Sequence, residues 1–335
     1  MVQSSLMPSV ASTRRVLFLT AEPSDEGNAK VLQDPVAVRL QQCGVEVSAR
    51  SILEWDQPVN LKAYSHILFL RLWDYHLHLS RVGSLVSELR SLSGQTRIYN
   101  PLTVVLWNMD KAKYLPELQT AGIPVIETTY LPLPAPATAI NHVLQLRKSK
   151  TPVVLKPSIS ASSFSTYLIR DAQTLSEADE AAISSFNDIK GLGDDAKLMI
   201  QEYVPEITTS GELSIVMVDG VISHAVRKIP RKDDFRSQAE LGGAEEFLQA
   251  DQVNENASRI AKRIWRHVDR KLERSGDDPP LYARIDGVIR DDGAFVLMEA
   301  EFIEPWMYMD APVAKQGLEI LCEQIMRRRL GPRPA

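Results

Sequence analysis

The chain has 335 residues, 44% of them hydrophobic and 24% charged, with a formal net charge of -5 at pH 7. That length supports two or three modules and a sizeable core; no apolar run is long enough to span a bilayer, and the acidic balance excludes a general nucleic-acid binder, which needs a basic surface against phosphates. Cys43 and Cys322 are too few for a disulfide framework and fit packed thiols in a reducing compartment, so a cytoplasmic protein is expected.

Residues 1–15 lack acids and read as a disordered start. "RRVLFLTAE" is a buried strand that opens the first module. "VAVRLQQCGVEV" reads as a helix ending at Gly44 and then a strand, "SHILFLRLWDY" as a strand, and "VGSLVSELRSL" as a helix. Strands alternating with helices predict a parallel α/β sheet. Neither G-x-G-x-x-G nor G-x-x-x-x-G-K-[ST] occurs, so no dinucleotide fingerprint or P-loop is present. The proline-rich "TYLPLPAPATA" at 129–139 reads as a linker or module edge. "TPVVLKPS" is a strand ending in Lys156, "AQTLSEADEAAISSF" a helix, and "KLMIQEYV" a strand. "GELSIVMVDGVISHAVRKI" reads as two strands joined at Asp219–Gly220, which gives this part an antiparallel α+β character. The helix "ASRIAKRIWRHVDRKLERSG" carries Ile260, Ile264, Val268 and Leu272 on one stripe and packs on a sheet. "APVAKQGLEILCEQIMRRRL" is a closing helix, and the tail "MRRRLGPRP" its solvated basic end.

"YARIDGVIRDDGAFVLMEAEFIEPW", residues 282–306, reads as a β-hairpin turning at Asp292–Gly293. A two-residue turn sets Asp286 opposite Glu299 and Arg284 opposite Glu301, all on one face. The other face, Ala283, Ile285, Gly287 and Ile289 against Phe302, Ala300, Met298 and Val296, is core. Like charges opposite one another on a sheet repel, and one arginine cannot neutralise three carboxylates. A buried salt-bridge network is one reading. The reading preferred here is a Mg2+ site, because carboxylates without histidine or cysteine beside them are hard oxygen ligands that share such an ion with phosphates. Lys156, before the hydroxyl-rich "PSISASSFST", is a candidate phosphate contact, as are Lys111 in "WNMDKAKYL" and Arg236 in "DDFRSQAELGG". His76 and His78 have no third ligand in view and read as packing or surface residues.

The order of these motifs resembles the ATP-grasp ligases. "QEYVPEI…GELSIVMVDG…VRKIPRKDDFRSQAELGG" resembles bacterial glutathione synthetases, and "LRLWDYH…IYNP…LWNMDKAKYLPELQTAGIPV" resembles the ATP-grasp ligase of D-cycloserine biosynthesis and its relatives. The resemblance covers residues 65 to 310 and implies an ATP-grasp fold of α/β and α+β parts with an N-terminal pre-ATP-grasp α/β domain. The boundaries expected are 16–125 for that domain, 126–204 for the central lid and 205–335 for the C-terminal domain. It also implies that Lys111 and Lys156 contact ATP phosphates and that Gln201, Glu202, Tyr203 and Val204 form the hinge for adenine. Glu212 would contact the ribose, and Arg236 and Gln238 would lie near the transferred phosphate. Asp286, Glu299 and Glu301 would hold Mg2+, with two ions expected, and Arg236, Lys156 and Arg284 would be the catalytic residues. Arg71, Trp73, Asp74 and Trp306 would line the substrate side.

Three departures stand out. Glu301 replaces an expected asparagine, Ser214 an expected arginine, and the loop after Lys156 has no glycine where the family is glycine-rich. The activity implied is ATP- and Mg2+-dependent ligation of small-molecule carboxylate and amine substrates, as an amide or a lactam, through an acyl phosphate. An ATP-binding regulatory or scaffold protein without turnover stays open as the alternative. No nucleic-acid or membrane partner is expected, and a homodimer is left open.

Overall fold

The structure, a computed structural model, describes residues 14–55, 59–92, 96–146, 152–231 and 243–327. Arg236, Gln238, residues 1–13 and the tail beyond Arg327 lie outside the described residues, so the expectations placed on them have no structural counterpart here.

The first module is a parallel sheet of β1 (Arg15–Thr20), β2 (Glu46–Ser51), β3 (His66–Arg71) and β4 (Arg97–Tyr99) in the order β2-β1-β3-β4. Around it run α1 (Ser24–Gln33), α2 (Pro35–Gln42), α3 (Leu79–Arg90) and α4 (Leu102–Asn108), and α5 (Lys111–Thr120) leads away, its Tyr114, Leu115 and Leu118 packed in the core with Ile215 and Met217. All six residues of β3 are buried, as expected of a parallel strand covered on both faces. The chain leaves β1 first for β2 on one side and then for β3 on the other. Such a reversal opens a crevice at the carboxyl ends of the strands, and Arg71 sits there, at the end of β3.

The second sheet is antiparallel, in the order β5-β8-β6-β7, from β5 (Thr128–Pro132), β6 (Val153–Pro157), β7 (Tyr167–Ile169) and β8 (Lys197–Glu202). The run expected to be a linker is therefore partly sheet: Thr128–Pro132 pairs with 197–201 as an edge strand, where proline is tolerated. Helix α6 (Ala137–Leu146) follows it. Helix α7 (Glu177–Ser185) starts later than the expected run, because Ser176 caps it: its hydroxyl accepts from the Asp179 N–H, and Asp179 accepts from the Ser176 N–H.

The third sheet is antiparallel, in the order β11-β10-β9-β12-β13. Its strands are β9 (Glu212–Val218), β10 (Val221–Ile229), β11 (Ala244–Gln249), β12 (Tyr282–Ile289) and β13 (Phe295–Glu301). Helix α8 (Glu255–Ser275) lays its buried stripe of Ile260, Ile264, Val268 and Leu272 on the face formed by Ile215, Met217, Ala283 and Ile285. Burial of each such side chain contributes about 1.5–3 kcal/mol. The opposite face, with Val216, Val218 and Tyr282, packs with Val16, Phe18 and Leu68 of the first module and with α9 (Lys315–Arg327).

The acidic hairpin has the expected register at its acids: Asp286 faces Glu299 and Arg284 faces Glu301. It reaches that register by a different route. The turn has three residues between Arg290 and Ala294, with Gly293 at φ 82°. Alone that would shift the pairing by one residue, and Gly287 does face Leu297 rather than Met298. A bulge between Asp286 and Gly287 then restores the alignment. Two asparagines hold the strand end. Asn108 Nδ2 donates to the Ala300 carbonyl and its Oδ1 accepts from the Phe302 N–H, each at 2.7 Å. Asn100 Nδ2 donates to the Tyr282 and Phe302 carbonyls.

Two expected outcomes follow from packing. A Cβ added at Gly287 would lie 2.4 Å from both the Val296 carbonyl oxygen and Phe295 Cζ. Gly287→Ala should therefore lower unfolding free energy by about 1–3 kcal/mol in denaturant titration; an unchanged midpoint would mean that the strand moves apart freely. His76 and His224 are both buried, and burial lowers each from 6.5 to about 4. The folded state therefore keeps them neutral, while the unfolded chain takes up protons near pH 6.5. Their contribution is fully present above that pH and falls between pH 6.5 and 4, by at most about 1.4 kcal/mol per pH unit for each histidine. Melting curves of wild type and His76→Gln across that range should differ in slope, and parallel curves would contradict the assignment for His76.

Candidate active site

A cleft of about 1060 Å3 lies where the three sheets meet. Ligand sites commonly measure about 300–1,000 Å3. Every described residue expected at the site lines it: Arg71, Trp73, Asp74, Lys111, Lys156, Gln201, Glu202, Tyr203, Val204, Glu212, Arg284, Asp286, Glu299, Glu301 and Trp306.

The hairpin acids project into this cleft because period-two alternation puts them opposite the core face. Each is turned toward a cation. Arg284 Nη2 lies 2.9 Å from Asp286 Oδ2 and 2.5 Å from Glu301 Oε1, while its Nε donates to both Asp286 oxygens at 3.0 Å. Glu299 is paired instead with Lys111, at 2.8 Å. The counter-charge that the hairpin lacks thus comes from another module, at the start of α5. Ser214, where an arginine was expected, donates to Asp286 Oδ1 at 2.6 Å. Among the described residues no three His, Cys, Asp or Glu side chains are gathered closely enough to hold a metal ion.

Burial and crowding set the protonation of these acids. Burial works to raise Asp286, but Arg284, Lys228 and the Ser214 hydroxyl outweigh it and hold the carboxyl below its usual range. Glu301 shares the same guanidinium. Burial pushes it up to about 8 against the pull of Arg284, and the charges of Asp286 and Glu299 add to the rise. Glu304, buried three residues on, is raised well above the ordinary range by burial and then by Glu301.

Lys111 ties the site together. Its N–H donates to the Ser158 carbonyl at 2.9 Å, and its ammonium donates to the Ser160 carbonyl at 2.5 Å. Lys156, at the end of β6, is buried, and burial lowers its pKa. The loop that follows has no glycine, yet Ser162, Ser163 and Ser165 take φ values of 50, 56 and 46°. These are left-handed conformations that cost an L-residue about 1–2 kcal/mol each. The loop is held against the first module by Phe164, whose ring lies 4.9 Å from His76. His76 is thus a packing residue, as expected.

At the other end, Ile126, Val204, Ile207, Val288 and Val296 form an apolar cluster joined by Tyr203 and Met298. The N–H groups of Glu202 and Tyr203 donate to the Glu127 and Pro152 carbonyls at 2.9 and 3.0 Å.

Several cleft residues were not anticipated. Lys228 pairs with Glu212 at 2.5 Å. Burial works against its charge, but Glu212 and Asp286 hold its pKa above the ordinary value. A tight turn at Asp219–Gly220 alone would set Arg227 opposite Glu212. A bulge between Ile222 and His224 puts Lys228 there, and nothing in the sequence marks that bulge. Four rings also line one wall: Trp73, Trp306, Tyr308 and Phe247, with successive centroids 5.6, 6.2 and 6.0 Å apart. Of these four, Phe247 was not anticipated.

Comparison with known proteins agrees with this architecture. Residues 128–276 match the model of the prokaryotic glutathione synthetase ATP-grasp domain, a range that contains Lys156, the hinge and Glu212 but neither Lys111 nor the acidic hairpin. The chain is 26% identical over 271 residues to the cycloserine biosynthesis protein DcsG of Streptomyces lavendulae, covering 79% of this chain and 85% of the relative. The crystal structure of D-cycloserine synthetase DcsG superposes with a TM-score of 0.68 at 21% identity, over 93% of this chain and 99% of that one. D-alanine–D-alanine ligase from Bacillus anthracis complexed with ATP superposes with a TM-score of 0.65 at 15% identity, over 94% of this chain and 96% of that one. With its three-sheet topology and the cleft between the sheets, the chain has the fold of the ATP-grasp ligases, and residues 128–276 match the ATP-grasp domain of the glutathione synthetase model.

Proposed function

We propose that the protein is an ADP-forming carboxylate–amine ligase that uses ATP and Mg2+ to make an amide or lactam bond on a small amino-acid-like substrate through an acyl phosphate. The observation that carries this reading is the meeting of charges in one cleft. Lys156 has no ion-pair partner among the described residues, and it stands with Lys111 beside three carboxylates on a rigid hairpin. Modules at 16–125, 126–204 and 205–335 would then hold ATP between the second and third.

In this reading the apolar cluster at Ile126, Val204, Ile207 and Met298 receives the adenine ring. The Gln201–Val204 hinge offers it backbone groups, of which the Val204 N–H has no backbone partner among the described residues. Glu212, fixed by Lys228, faces the ribose. Lys111 and Lys156 hold the phosphates.

Asp286, Glu299 and Glu301 are hard oxygen donors on one hairpin face and would be the Mg2+ ligands; here they are turned to Arg284 and Lys111 and would have to leave those cations to gather on an ion. When bound, the ion would neutralise phosphate charge near these acids. Lys111 would exchange Glu299 for a phosphate oxygen, which frees that carboxylate. The substrate carboxylate displaces ADP from the γ-phosphate to give an acyl phosphate. The amine then attacks the acyl carbon, and inorganic phosphate leaves as the amine loses a proton. The chain's own contribution is positioning and charge neutralisation.

The reading is tested by screening carboxylate and amine pairs for ADP release, with mass analysis of the product. ATP binding with no pair that stimulates ADP release would leave a nucleotide-binding protein without ligase turnover. ATP should stabilise the protein by about 2.7 kcal/mol at a hundredfold excess over its dissociation constant, and only with Mg2+ present. Equal thermal shifts with and without Mg2+ would remove the metal assignment.

Lys156 and Arg236 should separate kinetically. A clamp that holds ground and transition states alike affects both affinity and rate, so Lys156→Ala should weaken ATP binding and slow turnover. A donor acting on the transferred phosphate affects rate, so Arg236→Ala should cost about 2.7–4 kcal/mol in turnover with ATP affinity little changed. Equal losses of affinity and rate in Arg236→Ala would make Arg236 a binding clamp.

A further inference from the structure

Glu304 takes no part in the scheme above. It follows β13, is 8% exposed, lines the cleft, and its Oε2 is buried with no hydrogen-bond partner among the described residues. An unpartnered buried carboxyl is costly to keep, so its position asks for a ligand. Its surroundings narrow the choice. The Trp73 indole N–H donates to the Glu304 backbone carbonyl at 3.0 Å, which fixes this segment to the end of β3. The Trp306 ring lies 5.6 Å from that of Trp73 on the same wall. Indole faces attract organic cations, whereas a hydrated metal ion prefers oxygen ligands throughout its shell.

A positive charge stands by the same indole: the Arg71 guanidinium lies 4.3 Å from the Trp73 ring centroid. Arg71 has Asp34 as an ion-pair partner at 3.2 Å, but its buried Nε has no hydrogen-bond partner among the described residues. A carboxyl and a guanidinium, each with an unpartnered buried atom, thus line the same cleft as the two indoles.

We propose that Glu304, with the indole rings of Trp73 and Trp306, forms a subsite for a cationic nitrogen of the substrate, so that the molecule held at this end of the cleft is a zwitterionic amino acid whose carboxylate turns toward Arg71. An ammonium at this point gives Glu304 its missing partner and stands against aromatic faces. This assignment rests on the ligase reading and deepens it by naming the substrate class and its anchor.

The test compares amino acids with their des-amino counterparts on protein loaded with Mg2+ and a non-hydrolysable ATP analogue. Suitable probes are D- and L-alanine against propionate, D- and L-serine against 3-hydroxypropionate, and D- and L-asparagine against succinamate, with dissociation constants from calorimetry. In wild type at least one amino acid should bind at least about tenfold more tightly than its counterpart. Glu304→Gln, which keeps the shape and removes the charge, should reduce that ratio to below about threefold while the ATP analogue still shifts the melting temperature. Glu304→Asp should retain part of the ratio, and decides the matter if the glutamine variant fails to fold. Des-amino compounds binding as tightly as the amino acids, no amino acid binding at all, or an undiminished ratio in Glu304→Gln would each overturn the subsite. Absence of a thermal shift with the ATP analogue in wild type is a separate result: it would remove the ligase reading and this inference with it.

Discussion

The cleft is built around one electrostatic constraint. Three carboxylates on one hairpin face, Asp286 buried and Glu299 and Glu301 half-buried, cannot be gathered in the cleft without cations, because an unpaired charge that loses its water costs up to several kcal/mol. The hairpin supplies only Arg284, which serves Asp286 and Glu301. The rest must come from elsewhere: Lys111 from the start of α5 to Glu299, and Lys228 from β10 to Glu212 and the field of Asp286. The acids therefore recruit the first module to the third. The same α4–α5 segment also grips the hairpin through Asn108, which completes the edge of β13 on either side of Glu301. A change at the acids should be felt in the packing between modules as well as in ligand binding.

Part of this was legible in the sequence because period-two alternation is insensitive to small errors in the turn. The hairpin acids share a face whatever the loop length, provided both strands remain strands. Their cross-strand partners were right only because two deviations cancelled, a three-residue turn and a bulge at Met298. In the neighbouring hairpin of β9 and β10 nothing cancels, and a single bulge turns Lys228 inward and leaves Arg227 to pair with Glu246 outside. A one-residue slip exchanges the faces of a strand, and no residue type in "VDGVISHAVRKI" announces it. Glu304 was illegible for a related reason. It lies past the end of β13, where alternation no longer applies.

The loop after Lys156 separates conformation from composition. Glycine is usual where backbone must take positive φ, because it does so without steric cost. Here three serines adopt those angles, and the loop is kept in place by Phe164 against His76 and by the Lys111 bonds to Ser158 and Ser160. Positive φ is thus present in the loop without glycine. Its cost falls on contacts with the first module. Those contacts involve Lys111, which also holds Glu299, so loop position and acid pairing are linked through one ammonium.

The departures from the glutathione synthetase pattern can be weighed by charge rather than by residue identity. Glu301 puts a carboxyl where asparagine was expected, and burial pushes its pKa up to about 8, so near pH 7 it stands mostly uncharged against Arg284 at 2.5 Å, as the amide would. Ser214 in place of arginine removes one positive charge beside Asp286 and supplies a hydroxyl donor at 2.6 Å instead. Lys228, brought inward one strand away, adds a cation to the same field and helps hold Asp286 ionised. An isolated change at either position would leave a buried charge without compensation; the neighbours found here restore both the donors and the sign of the field. The buried acids of this cleft therefore keep donors and counter-charges although the residues that supply them differ from those expected, because burial constrains the charge of the cluster rather than the identity of each residue.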